Sequence, residues 1–265
     1  MNKPYKIGIC SIGYECAEHL DKVMKSWSQI KKENLLKDYI SDLYFSAVHG
    51  CFQETFKLNF PIKSQDNTIE KLIQYKKSNI IDNFILWDKP REEFELWTDN
   101  LFFLFSKNID LLWMVNLQDE IWEIEEIKAA IEFINNNQFI DIYRINFANY
   151  VFDYNTIQTD FRVPRLWWVN RNGGIQSFWR DDLILYVNQK RDGDVSTVLI
   201  PSNIIMPKHY SWVGSKQYLL RKLAFQKLRY SISSYRWNDE KDCLEINPEY
   251  YKLTSKPFPE FIKIK

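Results

Sequence analysis

Apolar residues along this chain gather in short unbroken runs, and after several runs they thin to one every three or four positions. Residues 5–12 (YKIGICSI) read as a buried strand, followed by a turn through Gly13, Tyr14 and Glu15. Leu20, Val23, Met24, Trp27 and Ile30 then fall on one face of an amphipathic helix. Residues 43–49 (LYFSAVH) predict a second strand ending at His49-Gly50, Ile69 to Tyr75 a short helix, and residues 80–87 a third strand. Pro90 stands where a helix can begin, and residues 91–107 carry Phe94, Trp97, Leu101, Leu104 and Phe105 at helical spacing. The run from Ile109 to Leu117 predicts another strand. It stops at Asp119-Glu120, before Ile124, Ile127, Ile131 and Ile134 return to helical spacing. Strands this continuously apolar, alternating with helices, imply a largely parallel sheet covered on both faces.

Beyond Asn135-Asn136-Asn137 the texture changes. Residues 140–147 alternate as a strand with one wetter face does, and short apolar pieces follow at 161–163, 166–169 and 195–200. Ser211 is placed to cap a helix running from 212 to about 230. Pro248, Pro257 and Pro259 give the tail from 231 the character of an extended segment laid on the body. The expected organisation is a single domain over 1–230, its halves meeting near 137/138, with an extension at 231–265.

Charge and composition narrow the function. Lys plus Arg equals Asp plus Glu, at 35 each, so no overall field draws in nucleic acid. Ten tryptophans and fifteen tyrosines suit sugar rings or bases as well as cores. With seven glycines there is neither a P-loop nor a G-x-G-x-x-G fingerprint. Four cysteines without C-x-x-C spacing read as reduced thiols of a cytoplasmic protein. No signal peptide and no membrane-length apolar run are expected, hence a soluble chain without a transmembrane segment.

Asp119 and Glu120 draw the eye because parallel α/β sheets gather ligands at the carboxyl ends of their strands. The alternative is that these carboxylates simply open the next helix, where negative charge suits the dipole. His49, ending the second strand, is expected to line a pocket there, and His19 to lie on the outer face of the first helix. Trp113 belongs to the core. Trp167 and Trp168, being adjacent in a strand, face opposite ways. No Ser-His-Asp or Cys-His order stands out.

Four stretches, taken in order over roughly residues 5–215, resemble the GT-A glycosyltransferases of the inverting, family-2-like group. Ile7-Gly8-Ile9-Cys10-Ser11-Ile12-Gly13-Tyr14-Glu15 looks like that family's opening strand and nucleotide-facing loop, with Glu15 where an Asn is common. Asp99-Asn100 is similar to its polar-Asn pair, and Leu117-Gln118-Asp119-Glu120 to its Asp-x-Asp-Glu corner, with Leu117 at the first acidic position. Pro164-Arg165-Leu166 and the late Pro207-Lys208-His209-Tyr210 complete the set.

The resemblance implies a GT-A-like (Rossmann-like) α/β fold: a mostly parallel central sheet flanked by helices, a donor half (1–137), an acceptor-side β region (138–230) and a C-terminal helix. It further implies transfer of a sugar from a nucleoside-diphosphate sugar to a hydroxyl on a glycan or similar acceptor. Ser11, Gly13, Tyr14, Glu15, His49, Asp99, Asn100, Gln118 and Asp119 would face the nucleotide-sugar. Asp119 and His209 would hold Mn²⁺ or Mg²⁺. Asp181 or Asp182 would be the base, and Trp179 with Arg180 would meet the acceptor. Leu117 keeps a second reading open, a degenerate domain that binds a sugar nucleotide or glycan without turnover. A third, an unrelated methyltransferase-like α/β enzyme, is disfavoured by the missing Gly-rich first loop.

Overall fold

The computed structural model describes residues 4–180, 183–186 and 194–264. Strand β1 (Tyr5–Gly13) lies inside the main sheet. β2 (Ile40–His49) pairs parallel to it on one side and β3 (Asn83–Leu86) continues outward from β2. The chain then returns to the far side of β1 to form β4 (Leu111–Asn116), also parallel. Beyond β4 the sheet continues through β7 (Thr156–Trp168), β6 (Ile142–Val151), β11 (Lys208–Trp212) and the short β5 (Glu120–Ile121), while β10 (Thr197–Leu199) joins β6. The expected architecture, a mostly parallel sheet flanked by helices with a further β region and a C-terminal helix, is the one observed. The reversal of strand order between β1 and β4 is the topological switch point of such a sheet.

Both faces are covered, which explains the unbroken apolar runs. On one face α1 (Ala17–Glu33) buries Leu20, Val23, Met24, Trp27 and Ile30. Trp27 meets Trp113 of β4 edge to face at 5.2 Å, and Trp113 meets Trp122 at 5.0 Å. Trp113 is fully buried, and its truncation to Ala would cost about 3–5 kcal/mol. On the other face α4 (Glu93–Ser106) packs Leu96, Trp97, Leu101 and Leu104 on Cys10, Ile12 and Leu112. Gly8 permits that approach, since a Cβ there would lie 3.1 Å from Leu104 of α4 and 2.5 Å from the Ile109 side chain.

Helix starts depart from the sequence expectation in instructive ways. α4 begins with a Glu92/Glu95 capping box, two residues after Pro90. α5 (Ile124–Asn136) likewise begins with a Glu123/Glu126 box, so neither Asp119 nor Glu120 opens it. Ser211 caps nothing. Residues 208–212 extend as β11, and Ser215 caps α6 (Lys216–Tyr230), accepting a hydrogen bond from the Tyr218 amide. The pieces expected at 161–163 and 166–169 are one strand, β7. Pro164 sits within it at a register shift of the β6–β7 pairing, where a missing N–H costs least.

The tail is more than an extended strap. β12 (Tyr235–Asn238) and β13 (Cys243–Ile246) form a hairpin, α7 (Pro248–Thr254) follows, and β14 (Phe261–Lys263) pairs antiparallel with β7. Tyr235 and Leu244 pack with Trp212, Leu219 and Leu223, which fixes α6 over the end of the sheet. β8 (Ile175–Arg180) and β9 (Leu183–Tyr186) make a separate hairpin, and α2 (Gln53–Lys57) and α3 (Thr68–Lys77) lie between β2 and β3. No helix among the described residues is long and apolar enough to cross a membrane.

Candidate functional site

A cavity of about 370 Å³ opens at the carboxyl ends of β1 and β4. Ile12, Tyr14, Asn116, Gln118 and Asp119 form its floor, β7 and β11 contribute Arg165 and His209, and α6 roofs it with Tyr218, Arg221, Lys222 and Arg229. The corner after β4 is tightly tied. The Asn116 side chain accepts from the Gln118 amide at 3.1 Å, and the Gln118 side chain donates to the Tyr14 carbonyl at 2.9 Å.

The two adjacent carboxylates have separate fates. Glu120 is fully buried and receives the Arg165 guanidinium, whose Nε donates at 2.9 Å. Burial pushes its carboxyl up and Arg165 only partly offsets this, so the pair is a foundation beneath the cavity. Asp119, 1% exposed, instead faces inward. Its Oδ2 lies 3.3 Å from Lys222 Nζ, and its Oδ1 lies 3.4 Å from His209 Nε2 with no hydrogen bond. Burial raises the Asp119 carboxyl, yet the neighbouring His209 and Lys222 outweigh it and hold it below the ordinary carboxylate value.

His209 is oriented from behind. Its Nδ1 stands 2.7 Å from the Asn149 side-chain oxygen, Asn149 donates to Gln158 at 3.2 Å, and Tyr235 donates to the same Gln158 oxygen at 2.9 Å. The ring also stacks on Phe161 at 4.6 Å. Burial pushes the imidazole down to about 4, so at neutral pH it is uncharged. With Nδ1 donating to Asn149, Nε2 carries the lone pair, and that lone pair faces Asp119 Oδ1.

Two acceptors 3.4 Å apart with no proton between them suit a cation. Metal-ligating histidines commonly donate their other nitrogen in this way. Two ligand atoms of an octahedral ion at roughly 2.1 Å legs stand about 3 Å apart, close to this separation. Among the described residues there is no group of three or more His, Cys, Asp or Glu for a metal. The protein would therefore supply two ligands, leaving the other positions to water and phosphate as Mg²⁺-type ions prefer. On that test the residues fit a divalent ion.

Above Asp119, Lys222 also donates to Ser211 Oγ and approaches the Tyr218 hydroxyl at 3.5 Å. Burial pushes this ammonium down, against the pull of Asp119. Arg221 spans Glu15, with Nη1 on its carboxylate at 3.1 Å and Nη2 on its carbonyl at 3.2 Å. Arg229 pairs with Glu93 of α4. Each of these α6 cations thus meets a carboxylate from the first half of the chain.

Of the residues singled out in the sequence, Tyr14, Gln118, Asp119 and His209 meet at the cavity, and Glu15 stands at its rim through Arg221. Others do not reach it. Asp99 accepts from the Trp87 indole at 2.7 Å, and Asn100 is buried, donating to the Ser11 carbonyl at 3.0 Å and thereby pinning α4 to β1. Ser11 donates to the Ser46 carbonyl at 3.0 Å, and Gly13 packs behind the corner against Cys16 and Leu117. His49 lies beneath the floor, 2.8 Å from Ser64 Oγ, rather than lining the cavity. His19 is buried at 2% exposure and stacked on Tyr210, because β11 covers the face of α1 expected to be outermost. Trp167 is core. Asp181 and Asp182 lie outside the described residues, as do the side chains of Trp179 and Arg180, whose backbone belongs to β8. The sequence reading missed Asn149, Arg221, Lys222 and Arg229. Arg221, Phe225 and Arg229 recur every four residues, so a basic stripe on α6 was there to be found.

No family model matches the chain, and no curated protein does either. Among solved structures, the chain is similar to the crystal structure of S. aureus TarS, with 12% identity, TM-score 0.46, and coverage of 84% of this chain and 38% of that one. It is also similar to S. aureus TarS 1-349, with 10% identity, TM-score 0.48, and coverage of 86% and 72%. The chain therefore spans well under half the length of the first of these structures.

Proposed function

We propose that this protein is a glycosyltransferase that moves a sugar from a nucleoside-diphosphate sugar to a hydroxyl on a glycan or similar acceptor. The observation that carries this reading is the convergence of Asp119 Oδ1 and His209 Nε2, 3.4 Å apart, in a cavity at the β1–β4 switch point. The GT-A-like residues of the first strand, the acidic corner and the late histidine support it. When bound by Asp119 and His209, Mn²⁺ or Mg²⁺ would supply Lewis-acid stabilisation of the negative charge that grows on a departing diphosphate. Around that point Asn149 keeps the His209 Nε2 turned toward Asp119, where an ion would be held, Gln118 and Tyr14 line the nucleotide side, and α6 covers the cavity. Asp181 or Asp182 is assigned the base that takes the acceptor proton, with inversion, and Trp179 and Arg180 the acceptor contact.

A second reading has one observation in its favour. Leu117, at the first acidic position of the corner, is fully buried in the core, so the corner offers one carboxylate fewer. A domain that binds a sugar nucleotide without turnover would share this cavity. A thermal-shift panel of UDP, GDP, TDP and CDP with and without Mn²⁺ tests the common part. A ligand at 100 times its dissociation constant adds about 2.7 kcal/mol of stability. Slow hydrolysis of the matching sugar nucleotide then distinguishes enzyme from binder. If no nucleotide shifts the melting temperature with or without metal, the proposal fails.

A further inference from the structure

We propose that Arg221 and Lys222 of α6 are donor-binding residues, two protein-borne cations that take up diphosphate charge so that nucleotide is retained when divalent ion is removed. The inference rests on the sugar-nucleotide reading of the cavity. Three observations carry it. First, both side chains line the cavity that Asp119 and His209 line, and Lys222 Nζ lies 3.3 Å from the carboxylate oxygen that does not face His209. A diphosphate drawn to an ion between Asp119 and His209 would arrive beside that ammonium.

Second, the surroundings hold these cations in place. Lys222 sits 5.4 Å over the Trp212 ring and 5.7 Å over Tyr218, and its side chain keeps 19% exposure. Arg221 lies 5.7 Å over the Tyr218 ring and 6.0 Å over that of Phe60. Its two contacts to Glu15 use part of a fork that carries five N–H donors, which leaves capacity for a phosphate.

Third, the charges match. Glu15 with Arg221, Asp119 with Lys222 and Glu93 with Arg229 balance to zero. Without a divalent ion a diphosphate adds net negative charge and has the shared Arg221 and Lys222 to meet it, so it binds more weakly than when an ion offsets that charge. The tethering carboxylates thus position the two cations, and a phosphate shares them.

The test is titration calorimetry with whichever nucleoside diphosphate the panel identifies and with the corresponding nucleoside, in EDTA and in Mn²⁺. The proteins are the wild type, Arg221→Gln, Lys222→Met and Lys222→Arg. The wild type is expected to bind the diphosphate in EDTA, more weakly than with Mn²⁺. Lys222→Met and Arg221→Gln should each weaken that binding by roughly ten- to a hundredfold, the value of a charge-assisted hydrogen bond. Lys222→Arg should recover most of the loss, and affinity for the nucleoside should not move, which a merely structural role would not produce. If Lys222→Met fails to fold, Arg221→Gln and Lys222→Arg still decide. Binding by the wild type only with Mn²⁺, or variants that bind as the wild type does, overturns the inference and leaves the sugar-nucleotide reading standing. No binding under either condition removes that reading and this one with it.

Discussion

Two cavities of nearly equal size lie at opposite ends of β1 and β4, about 370 Å³ at the carboxyl end and about 380 Å³ at the amino end. Volume does not tell them apart, but their chemistry does. At the amino end Asp110 accepts from the Lys6 amide at 2.8 Å, and Arg171 donates to the Ile140 carbonyl at 2.6 Å, so apart from the Arg171–Asp141 pair the charged groups there serve the backbone. At the carboxyl end Asp119, Glu120, Arg165 and His209 are all buried, and they answer one another, Asp119 facing His209 and Glu120 meeting Arg165. The difference follows from topology. Loops leaving parallel strands pass to helix amino termini on this side, so side chains from distant segments and positive dipole ends converge there.

The largest expected effect tests whether burial of charge truly underlies the carboxyl end. Arg165→Met leaves Glu120 ionisable, fully buried and without its guanidinium, a change that costs about 3–5 kcal/mol. Urea unfolding should show the midpoint falling accordingly, and Glu120→Leu added to Arg165→Met should restore much of it. A drop below about 1 kcal/mol would mean that Glu120 reaches water or another partner.

Acid comes next. Burial holds His49 down to about 4, against an ordinary value near 6.5. Between those values the unfolded chain binds a proton that the native state does not. Stability therefore is fully present above about 6.5 and falls as pH drops, by up to ~1.4 kcal/mol per pH unit and about 3 kcal/mol in all. His209 adds a decline in the same direction. His49→Gln should flatten the profile measured by denaturation at several pH values. An unchanged slope would show that His49 takes up its proton in the fold just as it does in the unfolded chain.

These residues also show what the sequence could and could not reveal. β1 and β4 were legible because a strand buried on both faces leaves no polar interruption, and the abrupt end of that run located Asp119. The division of labour between Asp119 and Glu120 was not legible, since it depends on Arg165, which approaches from 45 positions away. Lys222 lies 103 residues from Asp119 and Arg221 lies 206 from Glu15, so no local pattern joins them. His19 was misplaced for a related reason. Periodicity shows which helix face is apolar, but not that Tyr210 and Tyr218 will cover its neighbour.

Asp119→Asn sharpens the contrast at the level of ligand. Asparagine keeps the shape but removes the charge and offers its amide where a lone pair faced His209. The stabilisation a nucleotide gives in Mn²⁺, about 2.7 kcal/mol at 100 times its dissociation constant, should be largely lost. Melting curves with and without Mn²⁺ measure it, and a full shift retained in the variant would remove Asp119 from the ion site.

The smallest effect is expected at the amino end, and its smallness is the point. Arg171 is partly exposed at 29%, lies 3.5 Å from Asp141 and packs over Trp168. Arg171→Ala gives up one exposed ion pair, one bond to a carbonyl and a cation–π contact, together about 1 kcal/mol because water replaces most of them. Its melting temperature should fall by a few degrees at most. Nucleotide affinity, with or without Mn²⁺, should stay within twofold of the wild type. A larger change in affinity would mean that the two ends of β1 and β4 are coupled through the sheet, and the amino-end cavity could no longer be treated as surface relief.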